Sequence, residues 1–434
     1  MHLFFAALLA LTQQWLVVSD LHVNPFDTSN EPANYQQDTN WVLFDAAVRQ
    51  MHQTAPDASV VIIPGDFLAH EFAAKVHAAG AKRSVSRAAL SVMQRVERRF
   101  SAAFPHARFL IALGNNDDPC GDYRTAPDTP YLRHVAQLWA PLVNRNGTVP
   151  AFVRDFSHDG SYAVQLSNRL RAIVIDDVPW SFVFRGCEPR AGAMPQMEMH
   201  WLTRELQTMP QGQRAVVVMH IPPGVDAAST LLAQRFLVVP FLRGDVTASL
   251  TSIMGASKGR VSAIIAGHTH RSDFRLLAGV PVLIAPSISP IYSNSPAFVT
   301  LQVDSGGTLH DYRIYSYDLF AGAWSRAFDF DEAYRVDGFT AGSLTTAHAR
   351  IPDDLSVRMR WESGLTAASP AYRVRADWRA YWCAQTELRG GYAACAGDQR
   401  RVIVLRIVIA LVALALVLAA VFVTMRLARQ RRRA

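Results

Sequence analysis

Five short apolar runs in this 434-residue chain stop at side chains able to ligate a metal. WLVVS (Trp15–Ser19) leads into Asp20-Leu21-His22, and SVVII (Ser59–Ile63) into Pro64-Gly65-Asp66. FLIAL (Phe109–Leu113) leads into Gly114-Asn115-Asn116-Asp117, AVVVM (Ala215–Met219) into His220, and VSAIIA (Val261–Ala266) into Gly267-His268-Thr269-His270. Any one of these is an ordinary strand entering a turn. Five together are not ordinary, because ligands of open α/β sheets gather outside the carboxyl ends of the strands. Asp20, His22, Asp66, Asn115, His220, His268 and His270 can therefore converge. Two carboxylates, one amide and four imidazoles suit a pair of divalent metals. Glycine precedes the polar residue at three of the ends and lets the backbone turn sharply against a bound group.

The elements that must position these residues follow from apolar spacing. The spacing predicts helices over 39–53, 84–104, 131–142 and 195–209, and a hairpin of 162–166 with 170–175 turning at Ser167-Asn168. Arg87, Arg95, Arg98 and Arg99 form a solvated face of the second helix. Further strands are expected at 282–285, 297–303 and 310–317. Wholly apolar strands alternating with helices imply strands shielded on both faces. Residues 344–399, polar and rich in Arg, Trp and Tyr, read as a C-terminal helical cap or stalk. Asp117 and Asp118 are expected to shape their turn or to bind outer groups. Asp176 and Asp273 have no motif support and are left out of the site.

The formal charge is +7, but eight arginines and no acids lie from Arg400 onward, which leaves −1 for residues 1–399. Nucleic-acid binding therefore has no electrostatic support. LFFAALLAL (3–11) suits the apolar core of a signal peptide over 1–12, with an ordinary first strand or helix as the alternative. Residues 407–425 are uncharged and long enough to span a bilayer as one helix. The arginines within 426–434 put that tail in the cytoplasm. The body is then expected in an extracellular, lumenal or periplasmic compartment, tethered to the membrane. Four cysteines fit such a compartment as two disulfides, with three pairings open.

In this order, DLH, GDFLAH, GNND, MH and GHTH resemble the calcineurin-like metallophosphoesterase superfamily. His70, four residues after Asp66, and HIPPG at His220–Gly224 are similar to its acid sphingomyelinase-like phosphodiesterase branch. The resemblance covers about Trp15 to Tyr317. It implies a mixed α/β fold, a four-layer αββα sandwich over residues 15–343. It also implies that Asp20, His22 and His270 hold one metal, Asn115, His220 and His268 the other, and that Asp66 bridges them. Such a centre lowers the pKa of a bridging water for in-line attack on a phosphoryl group. Zinc suits the compartment and the histidines, and manganese or iron also fits.

Asn116 departs from the family, which mostly reads GNHE or GNHD, with a histidine that assists the leaving group. An amide can donate a hydrogen bond but cannot deliver a proton. His70 is expected to take over as general acid, against the alternative of a loop histidine without catalytic duty. The catalytic pair is thus His70 and Asn116. The reading that results is a membrane-anchored, extracytoplasmic phosphodiesterase acting on nucleotide or phosphocholine-type phosphodiesters or phosphoanhydrides. A polyphosphatase of the endopolyphosphatase type is the enzymatic alternative, and an inactive scaffold protein is the non-enzymatic one.

Overall fold

The computed structural model describes residues 12–80, 84–147, 149–233, 237–397, 404, 407–415 and 419. Strands β1 (Thr12–Val17), β2 (Val60–Ile63), β3 (Arg108–Ile111), β4 (Tyr162–Ser167), β5 (Leu170–Val174) and β6 (Arg214–Val218) come first along the chain. They are followed by β7 (Val261–Ala266), β8 (Asp273–Leu277), β9 (Val280–Ile284), β10 (Ala297–Asp304), β11 (Leu309–Asp318) and β12 (Ala323–Asp329). Two six-stranded sheets result, ordered β12-β11-β10-β1-β2-β3 and β4-β5-β6-β7-β9-β8. β1, β2 and β3 are parallel, as are β5, β6, β7 and β9. Antiparallel strands complete both sheets.

Side-chain alternation explains why the inner strands are apolar throughout. In β6, Val216 and Val218 join the core between the sheets, whereas Ala215 and Val217 point to the other face. There they meet Leu202 and Leu206 of helix Met194–Gln207 and Leu250 and Met254 of helix Gly244–Ala256. Neither face of such a strand meets water, so no polar alternation is possible. The first sheet is covered in the same way by helices Trp41–Thr54, Val85–Ala103 and Pro130–Val143. Phe100 of the second of these sets its ring 6.0 Å from that of Phe109 in β3.

Each of these three helices starts where a side chain can cap it. Asn40, Ser84 and Thr129 accept from the backbone N–H of Leu43, Arg87 and Leu132, an arrangement worth about 1 kcal/mol per cap. The expected helices and hairpin are found within two residues of their predicted bounds. β8, β12 and helix Gly244–Ala256 were not foreseen. β12 is mostly exposed, with Phe328 its one buried residue, and the helix is mostly Ala, Ser, Thr and Gly, so neither carries a strong apolar period.

Residues 344–397 fold onto the second sheet. Helices Ala341–Asp353, Leu355–Leu365 and Trp378–Ala384 bury Leu344, Ile351, Trp361, Leu365 and Tyr381 in the same core as the sheets. Asp273 of β8 ties them down, its Oδ1 accepting from Trp361 Nε1 at 3.2 Å and from Gln385 Nε2 at 2.9 Å. Disulfides join Cys120 to Cys187 and Cys383 to Cys395, one of the three pairings that the sequence left open.

The signal peptide expected over 1–12 lies outside the described residues except for Thr12, which opens β1. Of the apolar run 407–425, residues 407–415 are helical and exposed, and nearly all the rest lies outside the described residues, as does the basic tail. Among the described residues no helix is long and apolar enough to cross a membrane.

Candidate metal centre

The parallel strands point their carboxyl ends to one edge of the sandwich, and the seven residues singled out above meet there. Asp66, just past β2, occupies the middle. Its Oδ2 lies 3.3 Å from His22 Nε2 and 3.3 Å from His220 Nε2. On one side, His22 Nε2 is 3.0 Å from His270 Nε2, and Asp20 Oδ1 is 3.6 Å from His270 Nε2. On the other, His220 Nε2 is 3.0 Å from Asn115 Oδ1 and 3.2 Å from His268 Nδ1. The donors thus fall into two half-sites that share one carboxylate.

Their orientation suits cations. His22 Nδ1 donates to Leu68 O at 2.9 Å and His220 Nδ1 to Pro64 O at 3.0 Å, so both Nε2 atoms face the centre; against burial, Asp66 and Asp20 push His220 up to about 10, a proton that a bound cation would displace. Such outer hydrogen bonds fix tautomer and ring angle in metal sites. Burial, reinforced by the charge of His70, pushes His22 down to about 4. Burial likewise, with the charge of His220, pushes His268 down to about 3. Both rings are therefore neutral and able to serve as ligands. Burial opposes ionisation of Asp66, but His220 and His22 hold its carboxyl well below the ordinary range. Burial lifts the Asp20 carboxyl to about 6, a cost that a divalent cation would offset. His270 Nδ1 is buried without a partner, and its Nε2 faces the cluster. The donor set therefore fits two divalent metals.

The backbone is bent to bring these atoms together. Asp20, His22, Asp66, His268 and His270 all have φ between 41° and 71°, a left-handed conformation that costs a non-glycine residue about 1 kcal/mol or more. The neighbouring carboxylates leave no room for side chains. A Cβ on Gly114 would overlap Asp66 Oδ1, and one on Gly267 would overlap Ser19 Oγ. Asp117 holds the arrangement from beneath. Its carboxylate accepts from the backbone N–H of Asp66, Phe67, Leu68 and Gly114 at 2.7–3.2 Å. Asp177 does the same for His220 and Ile221.

His70 stacks on His22 with ring centroids 3.9 Å apart. Its Nδ1 contacts Asp38 Oδ1, and its Nε2 lies 3.4 Å from the hydroxyl of Tyr292. Asn116 turns inward, donating from N to Asp66 Oδ1 at 2.9 Å and from Nδ2 to Asp66 Oδ2 at 3.0 Å. Both of these donors are thus engaged by Asp66. Asp38, Tyr292, Asp177 and Tyr123, whose hydroxyl is 3.2 Å from His268 Nε2, went unnoticed in the sequence. Only Asp177, at the end of β5, had a strand-end signal that could have found it. Asp118 only turns the loop, accepting from Cys120 N.

A cleft of ≈ 840 Å³ opens beside the centre, bordered by Tyr123, Phe241, His268 and Tyr292, with Tyr372 and Tyr381 from the C-terminal segment. The family model for calcineurin-like phosphoesterases matches residues 15–272. The chain belongs to that family, and it is a metal-dependent phosphoric ester hydrolase. Among curated proteins it is 22% identical to an acid sphingomyelinase-like phosphodiesterase 3b of Homo sapiens, over 79% of this chain and 81% of that protein. It is 22% identical to a sphingomyelinase phosphodiesterase D of Dictyostelium discoideum, over 70% of this chain and 67% of that protein. A crystal structure of a dimetal phosphatase from Danio rerio aligns with 13% identity and a TM-score of 0.44, covering 70% of this chain and 95% of that one.

Proposed function

We propose that the chain is an extracytoplasmic phosphodiesterase acting on nucleotide or phosphocholine-type phosphodiesters and on related phosphoanhydrides. Asp20, His22 and His270 would hold one divalent metal and Asn115, His220 and His268 the other, with Asp66 shared between them and zinc as the resident ion. The observation that carries this reading is the equal 3.3 Å separation of Asp66 Oδ2 from His22 and His220. Once bound, two such cations supply an activated water and a positive clamp for phosphoryl oxygens.

The chain's own groups do the rest. Asn116 steadies Asp66 from below, and Asp117 keeps the β2 and β3 loops in register. His70, oriented through Nδ1 by Asp38, delivers a proton from Nε2 to the departing oxygen. Tyr292, whose burial pushes its phenol up to about 12, remains a hydrogen-bond donor beside it. Two disulfides support an oxidising compartment, and an anchor over 407–425 belongs to the same reading. Metal analysis of the purified protein with a bis-p-nitrophenyl phosphate assay tests it. Two metals per chain and metal-dependent turnover are expected, and a metal-loaded chain without phosphodiester turnover would refute it.

A further inference from the structure

His270 is followed at once by Arg271, a side chain that none of the roles above uses. Its guanidinium carbon lies 4.5 Å from the centre of the Tyr372 ring and 5.6 Å from that of Tyr381. Nη1 is buried without a hydrogen-bond partner, while the half-exposed side chain borders the same ≈ 840 Å³ cleft as His268 and Tyr292. Two carboxylates also border the cleft, Asp226 and Asp377. Asp226 accepts from Ser229 N at 2.9 Å as a helix cap, and Asp377 is engaged by other groups.

Stacking fixes the guanidinium plane and strips part of its water. A partly dehydrated cation next to a phosphoryl site favours a second negative group arriving with the substrate, to which the accessible side of the guanidinium can donate charge-assisted hydrogen bonds. A choline arm would find the opposite. Aromatic faces attract quaternary ammonium groups, but Tyr372 and Tyr381 already face Arg271, whose charge would repel it.

Resting on the reading of the centre given above, we propose that Arg271 sets substrate specificity by receiving an anionic group on the arm that lies in this cleft. The enzyme then favours phosphoanhydrides and nucleotide substrates carrying a second phosphate over phosphocholine esters. The C-terminal segment takes part by presenting the two rings that hold the guanidinium.

Two substrates test this, ADP and p-nitrophenyl phosphocholine, with wild type and Arg271→Met, which keeps a long apolar stem against the rings. The ratio of kcat/KM for ADP over the choline ester is expected to fall by about tenfold or more, the size of one or two lost charge-assisted hydrogen bonds. Tyr372→Leu, which removes a ring that orients the guanidinium, is expected to lower the same ratio. Calorimetric Kd for the non-hydrolysable α,β-methylene analogue of ADP should weaken in step with it in the metal-loaded protein. A wild type that hydrolyses neither substrate overturns the hydrolase reading alone, because the analogue's Kd still reports on Arg271. An unchanged ratio, or an unchanged Kd for the analogue, overturns the role of Arg271.

Discussion

Asp38 Oδ1 lies 2.7 Å from His70 Nδ1, and the Lys75 ammonium contacts the other oxygen of the same carboxylate at 3.2 Å. The imidazole is thereby pinned with its ring stacked on His22 and its Nε2 facing the Tyr292 hydroxyl. A histidine held this way is an oriented proton donor, whereas a surface histidine samples many rotamers.

Burial by itself would lower the His70 pKa, but the hydrogen bond and charge of Asp38 outweigh it and hold the ring above its ordinary value. The protonated, proton-donating form thus persists to higher pH than in a free imidazole. Asp38→Asn removes that support, so the alkaline limb of kcat/KM for an alkyl phosphodiester should move to lower pH. The pH–rate profile checks this, and a limb that stays put would mean that Asp38 does not govern the acid.

His70→Ala should reduce kcat on an alkyl phosphodiester by about 10²-fold or more. It should affect a p-nitrophenyl ester far less, because p-nitrophenolate leaves without a proton. Equal losses on both leaving groups would return His70 to a structural role.

Asp66→Ala removes the one oxygen that faces both half-sites. Metal content measured by plasma mass spectrometry should drop below that of the parent, and phosphodiester turnover should fall to background. Full metal retention would show that Asp66 does not bridge.

Gly114→Ala would drive a methyl group into Asp66 Oδ1 and the Asp66 backbone nitrogen. Neither can yield, since both are held by Asn116 and Asp117. A loss of about 1–3 kcal/mol in unfolding free energy is expected, together with lower metal affinity, read by denaturant titration and by competition with a chromophoric chelator. Near-native values in both would mean that the loop can shift at little cost.

The cluster of candidate ligands was legible because each member lies within a few residues of the end of an apolar strand, so local sequence reports its position at the sheet edge. The parallel order of the strands then does the assembly. Asp38 could not be read in the same way. It lies in a polar loop far from any strand end, and only tertiary packing brings it against His70. Asn116 was recognised as unusual, but its direction was not, because the reach of a side chain depends on neighbours the sequence does not display. Residues 344–399 read as a cap or stalk from their polar composition. Four of their apolar positions, Leu344, Ile351, Trp361 and Leu365, are widely spaced, yet these are buried in the main core.

That docking has a practical reach. Anyone trimming the gene to obtain a minimal enzyme would be tempted to stop where the phosphoesterase motifs end. Such a fragment would strand Asp273 inside the protein without Trp361 or Gln385 and lay bare the flank of β8. The shortest version worth expressing runs past Cys395, so that its second crosslink can close.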